Sequence, residues 1–205
     1  VAVGYNAIVS NTTGCWNVGI GRQALASNTT ANYNTAVGAC TLYANTTGAS
    51  NTAVGYRAMV ANTCGNYNTA LGYTALESNT TGTCNTGIGY RALVGNTTAA
   101  GNTASGFYSL KCNTTGYKNT ASGARSLQEN TTGYSNTASG FYSLYLNTTG
   151  SRNVAVGRQA LANNTVGNDN TASGYRSLYQ NTASFNTAFG ACSLCANTTG
   201  CYNTA

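Results

Sequence analysis

Asparagine recurs every 17 residues through most of this chain, at Asn17, Asn34, Asn51, Asn68, Asn85, Asn102, Asn119, Asn136, Asn153 and Asn170, then after 16 at Asn186 and after 17 at Asn203. A unit this small cannot enclose a core alone. Each copy must bury its apolar side chains against the next, which makes the chain a tandem-repeat solenoid. Aligned on the leading asparagine, the unit reads N-T-A-[VS]-G-Y-x-[AS]-L-x-x-N-T-T-G-x-x, with positions numbered 1 to 17. Asn at position 1, Gly at 5 (Gly55, Gly72, Gly89 and Gly106 among them), Asn at 12 and Thr at 13 are the same in every complete unit. Position 9 is always aliphatic, from Ile8 to Leu194.

About twelve such units fill residues 1–205 as a single continuous array with nothing that reads as a linker. The chain starts at position 2 of a unit and stops at position 3, without atypical capping units, so the expectation is a segment of a longer fibre. Positions 2 to 4, as in Thr52-Ala53-Val54, carry β-branched and small apolar residues and then glycine, the pattern of a short strand closed by a permissive backbone position. Positions 6 to 9 fit either a second strand or one helical turn. The N-T-T-G at 12 to 15 reads as a short strand running into a corner. The predicted fold is all-β: a β-solenoid of β-roll or β-helix type, one turn per repeat.

Positions 4 and 9 are the consistent large apolar positions and are expected to point inward, giving a core too thin to offset backbone ordering by much. The invariant asparagines supply more cohesion if their amides stack along the axis at the strand spacing of roughly 4.8 Å, which would make twelve turns roughly 55 to 60 Å long. Where position 4 is serine, position 8 is serine too (Ser105 with Ser109, Ser122 with Ser126, Ser139 with Ser143, Ser173 with Ser177), so the two hydroxyls are expected to meet. The unit Asn170–Phe185 has lost one residue and its position-15 glycine, which predicts a kink or tightened corner.

Charge is sparse, nine Lys and Arg against Glu77, Glu129 and Asp169, too thin along a long object for nucleic-acid binding. No apolar run is long enough to span a bilayer as a helix. Eight cysteines without histidine suit either disulfide staples between neighbouring turns or chains or small side chains in buried positions. With no histidine and three carboxylates in distant units, no acid–base pair, triad or metal cluster can form within one chain, and no cofactor is expected.

Three surfaces remain as candidates. The N-x-[ST] acceptor pattern falls on Asn11, Asn28, Asn45, Asn79, Asn96, Asn113, Asn130, Asn147 and Asn197, with Asn163 out of register, so a periodic coat of glycans is one expectation. Acceptor chemistry, however, needs the hydroxyl at position 14. The invariant threonine sits at 13, while 14 lapses to Cys64, Val166 and Ala183, which favours a structural ladder. Tyr56, Tyr73, Tyr90 and Phe107 in consecutive units at position 6, with Arg57, Arg91 and Arg125 in alternate units at position 7, form a face suited to self-association or to carbohydrate. Ranked threonines also suggest ice binding, although adjacent threonines face opposite ways on a strand and leave one rank.

The units Asn51–Met59 (N-T-A-V-G-Y-R-A-M) and Asn153–Leu161 (N-V-A-V-G-R-Q-A-L) resemble the N-x-A-[IV]-G-x-x-A repeats of YadA-like trimeric autotransporter adhesin heads and of phage tail-fibre proteins. The resemblance implies a β-roll, often trimeric, serving as stalk or adhesive head on a cell surface or virion. The expectation is a non-enzymatic extracellular or virion fibre protein, with glycan binding by the Tyr/Arg face as the alternative and ice binding third.

Overall fold

The computed structural model describes every residue from Val1 to Ala205. The protein is an all-β solenoid with one short strand per repeat, three residues at positions 2 to 4 in all but the first, which has two. It divides into two compact units, 1–102 and 103–205. The first carries β1 (Ala2–Val3), β2 (Val18–Ile20), β3 (Thr35–Val37), β4 (Thr52–Val54), β5 (Thr69–Leu71) and β6 (Thr86–Ile88). The second carries β7 (Thr103–Ser105), β8 (Thr120–Ser122), β9 (Thr137–Ser139), β10 (Val154–Val156), β11 (Thr171–Ser173) and β12 (Thr187–Phe189). Within each unit consecutive strands pair in parallel and in register, as in Thr35↔Thr52 and Thr120↔Thr137. The short repeat keeps this register, Thr171 facing Thr187, because its missing residue falls after the strand.

Side chains alternate along a strand, so only one of positions 2 to 4 can face inward. It is position 3: Ala36, Ala53, Ala70, Ala121 and Ala155 are fully buried. This corrects the expectation for position 4, whose larger residues face out, with Leu71 47% and Val156 44% exposed. Position 9 behaves as expected, with Leu25, Leu42, Met59, Leu76, Leu127 and Leu161 fully buried beside the small residues of position 8. The expected meeting of serines 4 and 8 fails for the same reason. Ser122 is exposed, whereas Ser126 Oγ donates to the Gly123 carbonyl at 2.8 Å, three residues back in its own turn.

Positions 6 to 9 are neither strand nor helix. Positions 7 and 9 both hold left-handed backbone on side-chain-bearing residues, for example Cys40 (φ 56) and Leu42 (φ 50). That conformation is costly away from glycine, and the hydrogen bonds explain it. Cys40 N–H donates to Arg22 O of the preceding turn at 2.9 Å, and Leu42 N–H donates to Ala58 O of the following turn at 3.0 Å. The left-handed residues aim alternate N–H groups at opposite neighbours, so the corner is bonded on both sides. Gly72 at position 5 has φ 140, and a Cβ there would sit 2.5 Å from the Gly89 carbonyl oxygen, so both conformation and space require glycine.

Positions 12 to 15 are bends rather than the strand expected from N-T-T-G. Their cohesion comes from one convergent acceptor: the Thr29 carbonyl receives the N–H groups of Thr12 (2.9 Å), Thr13 (3.2 Å) and Gly14 (3.2 Å) of the turn before. All eight cysteines are free and none is fully buried, so within the chain they neither staple turns together nor fill the core.

Candidate functional site

Two asparagine ladders run through the interior of each unit. At position 1, Asn68 N–H donates to Asn51 Oδ1 at 2.9 Å, its Nδ2 to the same oxygen at 3.2 Å and to Gly82 O at 2.8 Å. The same arrangement recurs at Asn136, Asn153 and Asn170. At position 12, Asn62 Nδ2 donates to Asn45 Oδ1 at 2.8 Å and to Gly65 O at 3.1 Å. Gly65 O also accepts Asn51 Nδ2 at 2.8 Å, so the two ladders meet on the position-15 carbonyl. Each amide thus bonds along the axis and across the turn, and these ladder asparagines are buried.

The invariant threonine at position 13 has its own ladder. Thr46 Oγ1 donates to Thr63 O at 3.2 Å, Thr63 Oγ1 to Thr80 O at 3.1 Å and Thr131 Oγ1 to Thr148 O at 3.0 Å. Position 13 is fixed because this hydroxyl holds turns together.

The acceptor asparagines lie where a glycan is hardest to attach. In Asn11, Asn28, Asn45, Asn79, Asn96, Asn113, Asn130, Asn147 and Asn197 the Nδ2 that would carry the sugar donates to the position-15 carbonyl. Asn28, Asn45, Asn79, Asn96, Asn113, Asn130 and Asn147 are completely buried. The periodic sugar coat expected from the motif therefore has no free amide in the folded turns. Asn163 differs: it sits one residue before its ladder asparagine, is half-buried, and its side chain makes no hydrogen bond.

The aromatic face is exposed, and its rings are spent on one another. Tyr56 and Tyr73 stack with centroids 5.4 Å apart and planes 21° apart, and Tyr73 and Tyr90 at 5.3 Å and 10°. Tyr73 is covered on both faces and offers solvent its edge and hydroxyl. Arg57 Nε donates to Glu77 Oε1 at 2.8 Å, and this carboxylate raises the Arg57 pKa further above its ordinary value. Together with Thr74 and Arg91 these residues line an open groove of about 280 Å³. Thr74 Oγ1 is buried there without a partner. Glu77 and Thr74 were missed in the sequence because they are singular among their repeats.

In the second unit arginines replace part of the stack. Arg125 Nη1 donates to Tyr142 OH at 2.7 Å, and its guanidinium lies 5.9 Å from the Phe107 ring centroid. Arg158 stands between Phe141 and Tyr175 at 5.9 and 5.8 Å. Arg152 makes a bidentate pair with Asp169 at 2.8 and 2.7 Å, and that hydrogen bonding holds the Asp169 carboxyl below the usual carboxylate range.

No protein-family model, curated protein or solved structure matches this chain. Chemically, the arrangement offers axial cohesion inside and a rank of phenol edges and guanidinium groups outside.

Proposed function

We propose that this chain is a non-enzymatic structural protein, a fibre segment on a cell surface or virion that associates with further copies of itself. The observation that supports this best is the pair of buried asparagine ladders. Both amide hydrogens of most ladder residues bind the same or the adjacent turn, so these buried groups serve cohesion between successive turns. Each turn recreates the edge that received it, so length can increase without new interactions being devised. The resemblance to adhesin-head and tail-fibre repeats points to the same setting, and the exposed Tyr/Arg face supplies aromatic and guanidinium groups that interfaces favour.

The test is electron microscopy and sedimentation of the purified chain, alone and with Arg57, Arg91 and Arg125 replaced by serine. Elongated, self-associated particles that fall apart in the triple variant support the proposal. Monomeric compact particles at every concentration sink it.

The groove at Arg57, Glu77 and Thr74 favours a second role, recognition of a polar carbohydrate through hydrogen bonds. The covered ring faces of Tyr73 argue against sugar stacking there. Glycan binding that disappears in the triple variant while the particles keep their size would favour this role over assembly.

A further inference from the structure

Tyr117 and Tyr134, at position 16 of successive turns, stack with ring centroids 5.0 Å apart and planes only 2° from parallel. The backbone fixes this spacing. Ser135 N–H donates to Tyr117 O at 3.0 Å, and Tyr134 N–H donates to Ser151 Oγ at 3.1 Å. Tyr117 is exposed and Tyr134 half-buried, so solvent-borne oxidants reach the pair. Arg152 Nη1 donates to Tyr134 OH at 2.8 Å, which holds that ring in its stacked position.

We propose that Tyr117 and Tyr134 form an oxidative coupling site, joined by a carbon–carbon bond ortho to the two phenol oxygens when the protein meets a one-electron phenol oxidant of the peroxidase type. Each phenol gives up one electron and its hydroxyl proton, placing spin density on the ring carbons beside the oxygen. The two ortho carbons bond, each then loses its ring hydrogen as a proton, and each oxygen regains a proton. The net change is loss of two electrons and two protons from the pair, taken up by one hydrogen peroxide to give two waters. The product links neighbouring turns covalently, a role none of the eight free cysteines fills. The coupling is within one chain and does not depend on the fibre proposal.

Parallel stacking favours this pair: Tyr73 and Tyr90 also stack, but at 5.3 Å and 10°, and Tyr73 is shared with Tyr56 at 5.4 Å and 21°. Tyr142 and Tyr145 are also close, at 4.6 Å, but inclined at 65° within one turn, so their ortho carbons are not held face to face. Holding two reactants in place raises the effective concentration by many orders of magnitude, which is why the folded chain should direct coupling to Tyr117 and Tyr134.

The test is photo-oxidation of the full chain with a ruthenium tris-bipyridyl complex and persulfate, which takes up the two electrons as two sulfates. Reactions are run at high dilution, with folded and denatured chain side by side. Trypsin cuts after Lys111, Lys118, Arg125 and Arg152, so the expected product joins peptide 112–118 to peptide 126–152, lighter than their sum by two hydrogens. Its yield should be at least about tenfold higher from the folded chain, and it should vanish in Tyr134→Phe and in Tyr117→Phe. Circular dichroism of both variants separates loss of the site from loss of the fold. Equal yields from folded and denatured chain, or no such product from a folded chain that forms other tyrosine products, would overturn the assignment.

Discussion

Asn181 does not reach back to Asn164: its Nδ2 donates to the Ala183 carbonyl at 2.8 Å, and the Asn164 Oδ1 it would have met is buried without a partner. The cause is the missing residue in the turn Asn170–Phe185, which draws the corner after Asn181 inward. The threonine bonds fail at the same place. Thr148 N–H reaches Thr165 O at 2.8 Å and Thr182 N–H reaches Thr198 O at 2.9 Å, while no such bond joins Thr165 N–H to Thr182. The tightened corner anticipated from the sequence is thus an interruption of two ladders, with the strand register intact on either side.

Restoring the lost residue should repair both. Insertion of one glycine between Ala183 and Ser184 is expected to return the Asn181 amide to Asn164 Oδ1 and to stabilise the second unit by about 1–2 kcal/mol, the usual cost of one orphaned buried group. Native-state hydrogen exchange reads this locally. The Thr165 amide, fast in the natural chain relative to Thr148, should slow to match it. An unchanged Thr165 rate in the insertion variant would mean that register is not what breaks the ladder.

The ladders make a second prediction about which polar group matters most. Replacing Asn62 by alanine strips a partner from Asn45 Oδ1 and from Asn79 Nδ2 in a buried site and should cost about 2–3 kcal/mol. Thr63→Val keeps the shape and loses one partly solvated donor to Thr80 O, for about 1 kcal/mol. Denaturant unfolding of the two variants should preserve this order. If Asn62→Ala falls within the roughly 0.5 kcal/mol typical of surface substitutions, the ladder does not hold the turns together.

Much of this architecture was legible in the sequence. The asparagine period fixed the turn length, and position 9 marked the core, because Leu42, Met59 and Leu76 face a geometric problem repeated in every turn. Position 4 misled because large apolar residues such as Leu71 draw attention, while the inward residue is the modest Ala70. A narrow interior already filled by leucine has room for only a methyl group there. The left-handed corner residues could not be foreseen, since Arg57, Thr74 and Tyr108 share a backbone conformation and no chemistry. The Tyr117–Tyr134 stack was hidden because position 16 varies and only one pair of neighbouring tyrosines falls on it.

Glycan attachment gives a prediction that reverses the motif count. In a host that N-glycosylates secreted proteins, sugar is expected on Asn163 and absent from Asn45, Asn79 and Asn130, whose amides are buried donors. Mass spectrometry of the tryptic peptide 159–176 isolates Asn163 from the other acceptors. Sugar on Asn45 or Asn130 of the folded protein would show that position 12 can leave the ladder.

Cysteine reactivity is the last prediction, and its sign follows from the surroundings. Burial pushes the Cys112 thiol above its ordinary value, and the Glu129 carboxylate, whose Oε2 accepts the thiol at 3.5 Å, pushes in the same direction. Lys111 opposes this only weakly. Thiolate is the nucleophile, so a raised pKa leaves less of it at neutral pH, and alkylation of Cys112 should be slower than that of exposed Cys64 and Cys84. The rate at Cys112 should climb with pH along a curve displaced to higher pH. Glu129→Gln removes the charge while keeping the hydrogen-bonding shape, so it should move the curve part of the way back, leaving the burial contribution in place. Iodoacetamide labelling followed by peptide mass spectrometry across pH measures all three thiols in one sample. A Cys112 curve that coincides with that of Cys64, or that does not respond to Glu129→Gln, would show that the thiol does not sense this carboxylate in solution.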